Sequence, residues 1–318
     1  MMRLRFGQYA LIASAVAMLT GCAGAREQSP APGLPAGASR ASGDLLYVAH
    51  VGEPRPHHYR GIFTVLTFPQ GQAVAKIVLP GIATGSCSDA SGNVWVVVFH
   101  GRRHDAYEYA PGRPNPIAKI YIPHTGRITT GCAVDPTTGD LAVLTGFYEG
   151  SAPSHIDVWA GAHEGKPVSY PITFSPIACA YDASGNLFVD GYVGSTVFFE
   201  LVELPKDSNS IKNIKTGLYD FPGGVQWDGE YLAVFSGPVL YRMSVSGSAA
   251  HIVSRYRPRK VYPGTPLAIA DGSMVAESGG YGDDVSLWQY PGGGKATKRL
   301  ARFEYAARGL TISAGSSP

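Results

Sequence analysis

The stretch Cys179-Ala-Tyr-Asp182-Ala-Ser-Gly185-Asn186-Leu-Phe-Val189 decides the fold. Small and apolar residues run into Asp182, Gly185-Asn186 offers a position where positive φ costs little, and Leu187-Phe188-Val189 resumes a β-prone run. The pattern is strand, tight turn, strand. It returns from Cys87 through Asp89 to Val96, from Cys132 through Asp135 to Val143, from Val225 through Asp228 to Val234, and from Ala268 through Asp271 to Ala276. The chain is a tandem repeat.

Successive turn aspartates are 46, 47, 46 and 43 residues apart. A period of roughly 40 to 50 residues, filled by short β-branched and aromatic runs cut by Gly and Pro, predicts four-stranded propeller blades rather than helical repeats. Third strands are expected at 106–110, 156–160, 197–201, 239–243 and 285–290, which completes five units. A sixth is divided between the ends. Leu45–Ala49, Ile62–Phe68 and Ala73–Leu79 read as second, third and outer strands that lack an inner one, and Gly309–Ser313 reads as an inner strand with nothing after it. Pairing them removes two open sheet edges. The expected fold is all-β, a six-bladed propeller over residues 44–318, closed by pairing of the C-terminal strand with the N-terminal blade.

Residues 1–21 have the form of an export signal: Arg3 and Arg5, an apolar centre from Tyr9 to Leu19, then small residues. Leu19-Thr20-Gly21-Cys22 resembles the lipobox of bacterial lipoproteins, which implies lipidation of Cys22, a membrane lipid as partner and a place in the bacterial cell envelope. Ala23 after the cysteine implies the outer membrane in that family's sorting pattern. Residues 22–43, rich in Ala, Gly, Pro and Ser, read as a flexible tether.

The chain has 26 basic and 24 acidic residues, and losing Arg3 and Arg5 with the signal balances them. That leaves no electrostatic footprint for nucleic acid. Beyond Cys22 there are three cysteines, Cys87, Cys132 and Cys179, so at least one is unpaired within the chain.

Units such as Gly131-Cys-Ala-Val-Asp135 to Gly139-Asp140-Leu-Ala-Val143 resemble NHL repeats and the related gluconolactonase-like (SMP-30-like) six-bladed propellers. The resemblance covers most of the chain after the tether. The Asn-Asn-Arg-Ile segment that follows the second strand in NHL repeats is absent here, so the family's ligands are not carried over.

With the aspartate turns on one rim, the loops after the second strands fall on the other, and function is expected there. His57, His58, Arg102, Arg103, His104, Tyr192 and Tyr281 are the expected ligand-binding rim, the basic and histidine members suiting an anionic group. Nearest the axis, His50, His100, Asp190 and Glu277 end second strands. Two imidazoles and two carboxylates converging on a channel mouth would hold one divalent cation or act as an acid–base pair. Gluconolactonase-like propellers carry a metal at a comparable place, which the resemblance implies by position only. The turn aspartates are expected to be structural, bonding the backbone two residues on, and Tyr107, Tyr109, Trp159, Trp288 and Tyr290 to pack between sheets.

No Gly-x-Ser-x-Gly, phosphate loop or cofactor fingerprint is present. The expected function is that of a non-catalytic envelope lipoprotein whose propeller is a scaffold for a protein, glycan or small-molecule partner. The alternative is a metal-dependent hydrolase (lactonase-like) or a lyase with its site at the channel mouth.

Overall fold

The computed structural model describes residues 43–52, 60–101, 103–123, 128–146, 153–193, 198–261, 264, 266–278 and 283–314. The chain divides into one unit from Met1 to Pro35 and a second from Ala36 to Pro318, and every described residue lies in the second. The expected signal, the tether up to residue 42 and Cys22 lie outside the described residues, as do His57, His58, Arg102 and Tyr281.

Among the described residues, twenty-four strands form six four-stranded antiparallel sheets. Blade 1 holds β1 (Leu45–Val51), β2 (Gly61–Thr67) and β3 (Ala73–Val78); blade 2 holds β4 (Ile82–Ser88), β5 (Val94–Phe99), β6 (His104–Tyr109) and β7 (Pro116–Ile122). Blade 3 holds β8 (Ile128–Val134), β9 (Leu141–Gly146), β10 (Ser154–Trp159) and β11 (Val168–Ile172); blade 4 holds β12 (Ser175–Tyr181), β13 (Leu187–Val193), β14 (Phe198–Leu204) and β15 (Lys212–Asn213). Blade 5 holds β16 (Pro222–Trp227), β17 (Leu232–Ser236), β18 (Val239–Ser246) and β19 (Ala249–Tyr256). Blade 6 holds β20 (Leu267–Ala270), β21 (Ser273–Ser278), β22 (Asp284–Gln289) and β23 (Lys298–Arg302). The last strand, β24 (Ala307–Ser313), crosses to blade 1 and pairs antiparallel with β1, Gly309 opposite Ala49 and Ser313 opposite Leu45.

Apolar layers fill the six junctions between neighbouring blades. Each second strand is covered on both faces by adjacent blades, which is why Leu45-Leu-Tyr-Val-Ala49 and Val94-Trp-Val-Val-Val98 read as unbroken apolar runs instead of alternating ones. Outer strands such as β3 and β7 alternate, one face on the core and one in water. Trp95, Trp159, Trp288 and Tyr109 lie wholly within the junctions, as the packing reading of the aromatics expects.

The aspartate turns are built by their side chains. Asp182 Oδ1 accepts the N–H groups of Ser184 and Asn186, and Oδ2 accepts the Asn186 amide at 2.8 Å; Asp89 repeats this with Ser91 and Asn93. Asp271 departs from the scheme. Its blade closes β20 onto β21 with a two-residue turn, so Asp271 (φ 48°) and Gly272 (φ 65°) both take the left-handed conformation that such a hairpin demands.

Candidate functional site at the channel mouth

The six inner strands β4, β8, β12, β16, β20 and β24 surround a central channel. Its mouth, of about 390 Å3, lies at the starts of those strands, on the rim where the second strands end. Five of the six inner strands carry a β-bulge there. Thr84, Thr130, Ile177, Gly223 and Arg308 are each skipped in the register with the second strand, and each lines the mouth. A bulge leaves its extra residue out of the ladder and re-aims it, so the same irregularity delivers five unpaired positions to one place. Sequence reasoning missed these residues. The available signal was a glycine directly after the bulge, at Gly85, Gly131, Gly224 and Gly309.

The glycines also let the inner strands approach one another. A Cβ on Gly309 would lie 2.5 Å from Ser86 Oγ, and one on Gly85 would lie 2.9 Å from the Cα of Gly131. Hydroxyls stitch the same junctions: Ser86 Oγ to Thr311 Oγ1 at 2.7 Å and Thr84 Oγ1 to Thr129 Oγ1 at 2.6 Å. Thr130 Oγ1 is buried and has no hydrogen-bond partner among the described residues. Among the described residues, Arg308 is the one charged residue that lines the mouth.

The four residues expected to share one site are placed apart in function. Asp190, fully buried, receives the N–H of Ala178 at 2.8 Å and that of Gly224, in the next blade, at 3.1 Å. Desolvation pushes its pKa up to about 7, against the lowering effect of those bonds. Glu277, also buried, bonds the backbone of Ala307 in blade 1; desolvation raises it to about 8, and its Oε1 has no partner among the described residues.

His50 bonds Thr64 Oγ1 at 2.9 Å and the Val51 carbonyl at 3.1 Å, and its ring packs on Phe303 at a centroid distance of 4.2 Å. Burial lowers its pKa. His100 meets the Asp105 carboxylate at 3.2 Å and the Tyr107 hydroxyl at 3.3 Å. Desolvation is again the larger influence and holds its pKa down.

None of the four lines the mouth, and among the described residues no three His, Cys, Asp or Glu side chains are grouped to hold a metal. The four side chains belong to separate sets of hydrogen-bond partners. Second strands sit one layer behind the inner strands; Asp190 and Glu277 bond inner-strand backbone, while His50 and His100 bond groups of their own blades.

Of the expected rim residues, Arg103, His104 and Tyr192 are among the described ones. His104 is buried, stacked on Phe99 at 4.8 Å with Nδ1 2.8 Å from Thr129 Oγ1, and so supports the mouth from beneath. Arg103 is exposed, its Nε 3.6 Å from Asp105. Tyr192 packs against Phe221 at 5.3 Å.

Cys87 and Cys132, on adjacent inner strands, form a disulfide, while Cys179 is a free, buried thiol whose pKa desolvation raises. The cross-link joins blades 2 and 3 at the channel wall.

No family model and no curated protein matches this chain. Solved structures do. A protein of unknown function from Bacteroides caccae matches at 14% identity over 86% of this chain and 99% of its own, with a TM-score of 0.60. A functionally unknown protein from Desulfotomaculum acetoxidans matches at 11% identity over 87% of this chain and 100% of its own, with a TM-score of 0.55. TolB from Acinetobacter baumannii matches at 12% identity over 86% of this chain and 67% of its own, with a TM-score of 0.54. The likeness is one of fold. At such identities the shared ring of blades carries no statement about ligand or reaction.

Proposed function

We propose that the protein is a non-catalytic cell-envelope lipoprotein, anchored through Cys22, whose NHL-like propeller is a rigid scaffold that binds a small polar partner at the channel mouth. The observation that carries this reading is the division of labour just described. The groups suited to acid–base or metal chemistry, Asp190, Glu277, His50 and His100, are engaged in holding bulges and loops, whereas the mouth presents bulged backbone, hydroxyls and Arg308. A concave mouth of about 390 Å3 with a few polar groups suits a small molecule. Arg308 favours one that carries a carboxylate.

The test is a thermal-shift series with magnesium, calcium, manganese and zinc beside a panel of small hydroxy-carboxylates. A hydroxy-carboxylate should raise the melting temperature of the wild type and have no effect on Arg308→Gln. A divalent-metal stabilisation that Glu277→Gln abolishes would overturn the reading in favour of a metal-dependent hydrolase.

A further inference from the structure

A second pocket lies on the aspartate-turn face, between blades 4 and 5, with a volume of about 270 Å3. Phe188 and Met243, both buried, and Trp227 give it an apolar wall, and three carboxylates line it: Asp182, Glu203 and Glu230. Their states differ. Asp182 is occupied by its own turn, through three hydrogen bonds from Ser184 and Asn186. Glu230 is exposed and sits 3.5 Å from the Arg242 guanidinium.

Glu203 is only 8% exposed, and among the described residues its one polar partner is the Lys212 ammonium, at 3.9 Å. That separation is too long for a hydrogen bond, and the Lys212 side chain is 51% exposed. The Glu203 side chain lines the pocket and keeps 11% of its exposure, so its carboxylate is open there to a donor at contact distance. The backbone explains why Lys212 does not supply one. Glu203 and Lys212 are cross-strand partners on β14 and β15, but β15 is two residues long, and Lys212 reaches out from a short edge.

We propose that this pocket binds a small organic cation, with a primary ammonium group bonded to Glu203 and its methylenes laid against Trp227, Phe188 and Met243. Carboxylates outnumber cations among the lining residues, which disfavours an anion. No three potential metal ligands are grouped there, which disfavours a bare metal ion. A cation beside an indole gains from the ring's quadrupole, and the apolar wall accepts an alkyl chain that a metal would leave unused. Lys212 stands where the ligand's ammonium would go, as a loosely held internal competitor. The site is separate from the channel mouth and does not depend on what binds there.

The experiment is calorimetric titration of the full-length protein with spermidine at low ionic strength. Saturable one-to-one binding is expected, weakened about tenfold or more by Glu203→Gln. Lys212→Met should tighten binding several-fold by removing the competitor, a gain that a merely structural role for the residue does not produce. The exposed control Asp207→Asn should bind as the wild type does. Absence of binding to the wild type, equal affinity in Glu203→Gln, or weaker binding in Lys212→Met would each overturn the proposal.

Discussion

The Asp190 carboxylate joins two blades: Oδ1 takes the N–H of Ala178 on its own inner strand, and Oδ2 takes the N–H of Gly224 on the next. Both donors directly follow a bulged residue, at the point where the ladder register shifts. Asp190→Ala leaves two buried N–H groups unpaired, at a cost of about 1–3 kcal/mol each. Chemical denaturation should show a loss of roughly 2–5 kcal/mol. Asp283→Ala, which breaks a surface pair with Arg302, should cost about 1 kcal/mol or less.

The stabilisation contributed by Asp190 and Glu277 should fall as pH rises from about 4 to 8. The pKa values of Asp190 and Glu277 are raised by burial to about 7 and about 8, from ordinary values of 3.8 and 4.5. Within that window the folded chain holds protons that the unfolded chain has released, so the stabilisation is complete at the acid end and is lost as pH climbs through the folded values. Glu277→Gln keeps a neutral side chain at every pH and should flatten the upper part of the profile. Denaturation midpoints measured at intervals from pH 5 to 9 would check this, and a wild-type profile that rises across the window would contradict it.

Ring closure depends on a strand more than 250 residues away from its partner in sequence. Deleting everything after Arg308 removes most of β24, exposes the Leu45–Val51 edge and strips Leu310 from the blade 6–blade 1 layer. A loss of several kcal/mol is expected, read as a large drop in melting temperature. Gly309→Ala should reproduce part of the effect, because the new methyl meets Ser86 at the closest approach of the inner strands.

Thiol labelling should follow the disulfide. A soluble form beginning at Ala23 should show no reactive thiol when native, because Cys179 is buried, and one when unfolded without reductant. Replacing Cys87 and Cys132 together by serine removes a link that spans 45 residues of sequence, at an expected cost of roughly 2–4 kcal/mol.

The envelope reading has its own measurement. Metabolic labelling with palmitate should mark the wild-type protein and direct it to the detergent phase, and Cys22→Ser should abolish both. Unmodified Cys22 in a membrane-free mature protein would refute the anchor.

The blades were legible in the sequence because their signals are local. Aspartate turns such as Asp182 to Asn186, the apolar second strands and the unmatched strands at the two ends all follow from alternation and turn chemistry within a few residues. The third strands fall within a few residues of where those signals put them. What the residues do inside the ring was decided by tertiary structure. Second-strand ends look axial when the repeats are aligned, but Asp190 and Glu277 bond inner-strand N–H groups of the neighbouring blade. Which cysteine stays free, how Arg308 reaches the mouth, and how Glu203 comes to share a pocket with Trp227 from another blade all depend on the offset between sheets. That offset is set by side-chain packing at six junctions, between residues that no local pattern connects.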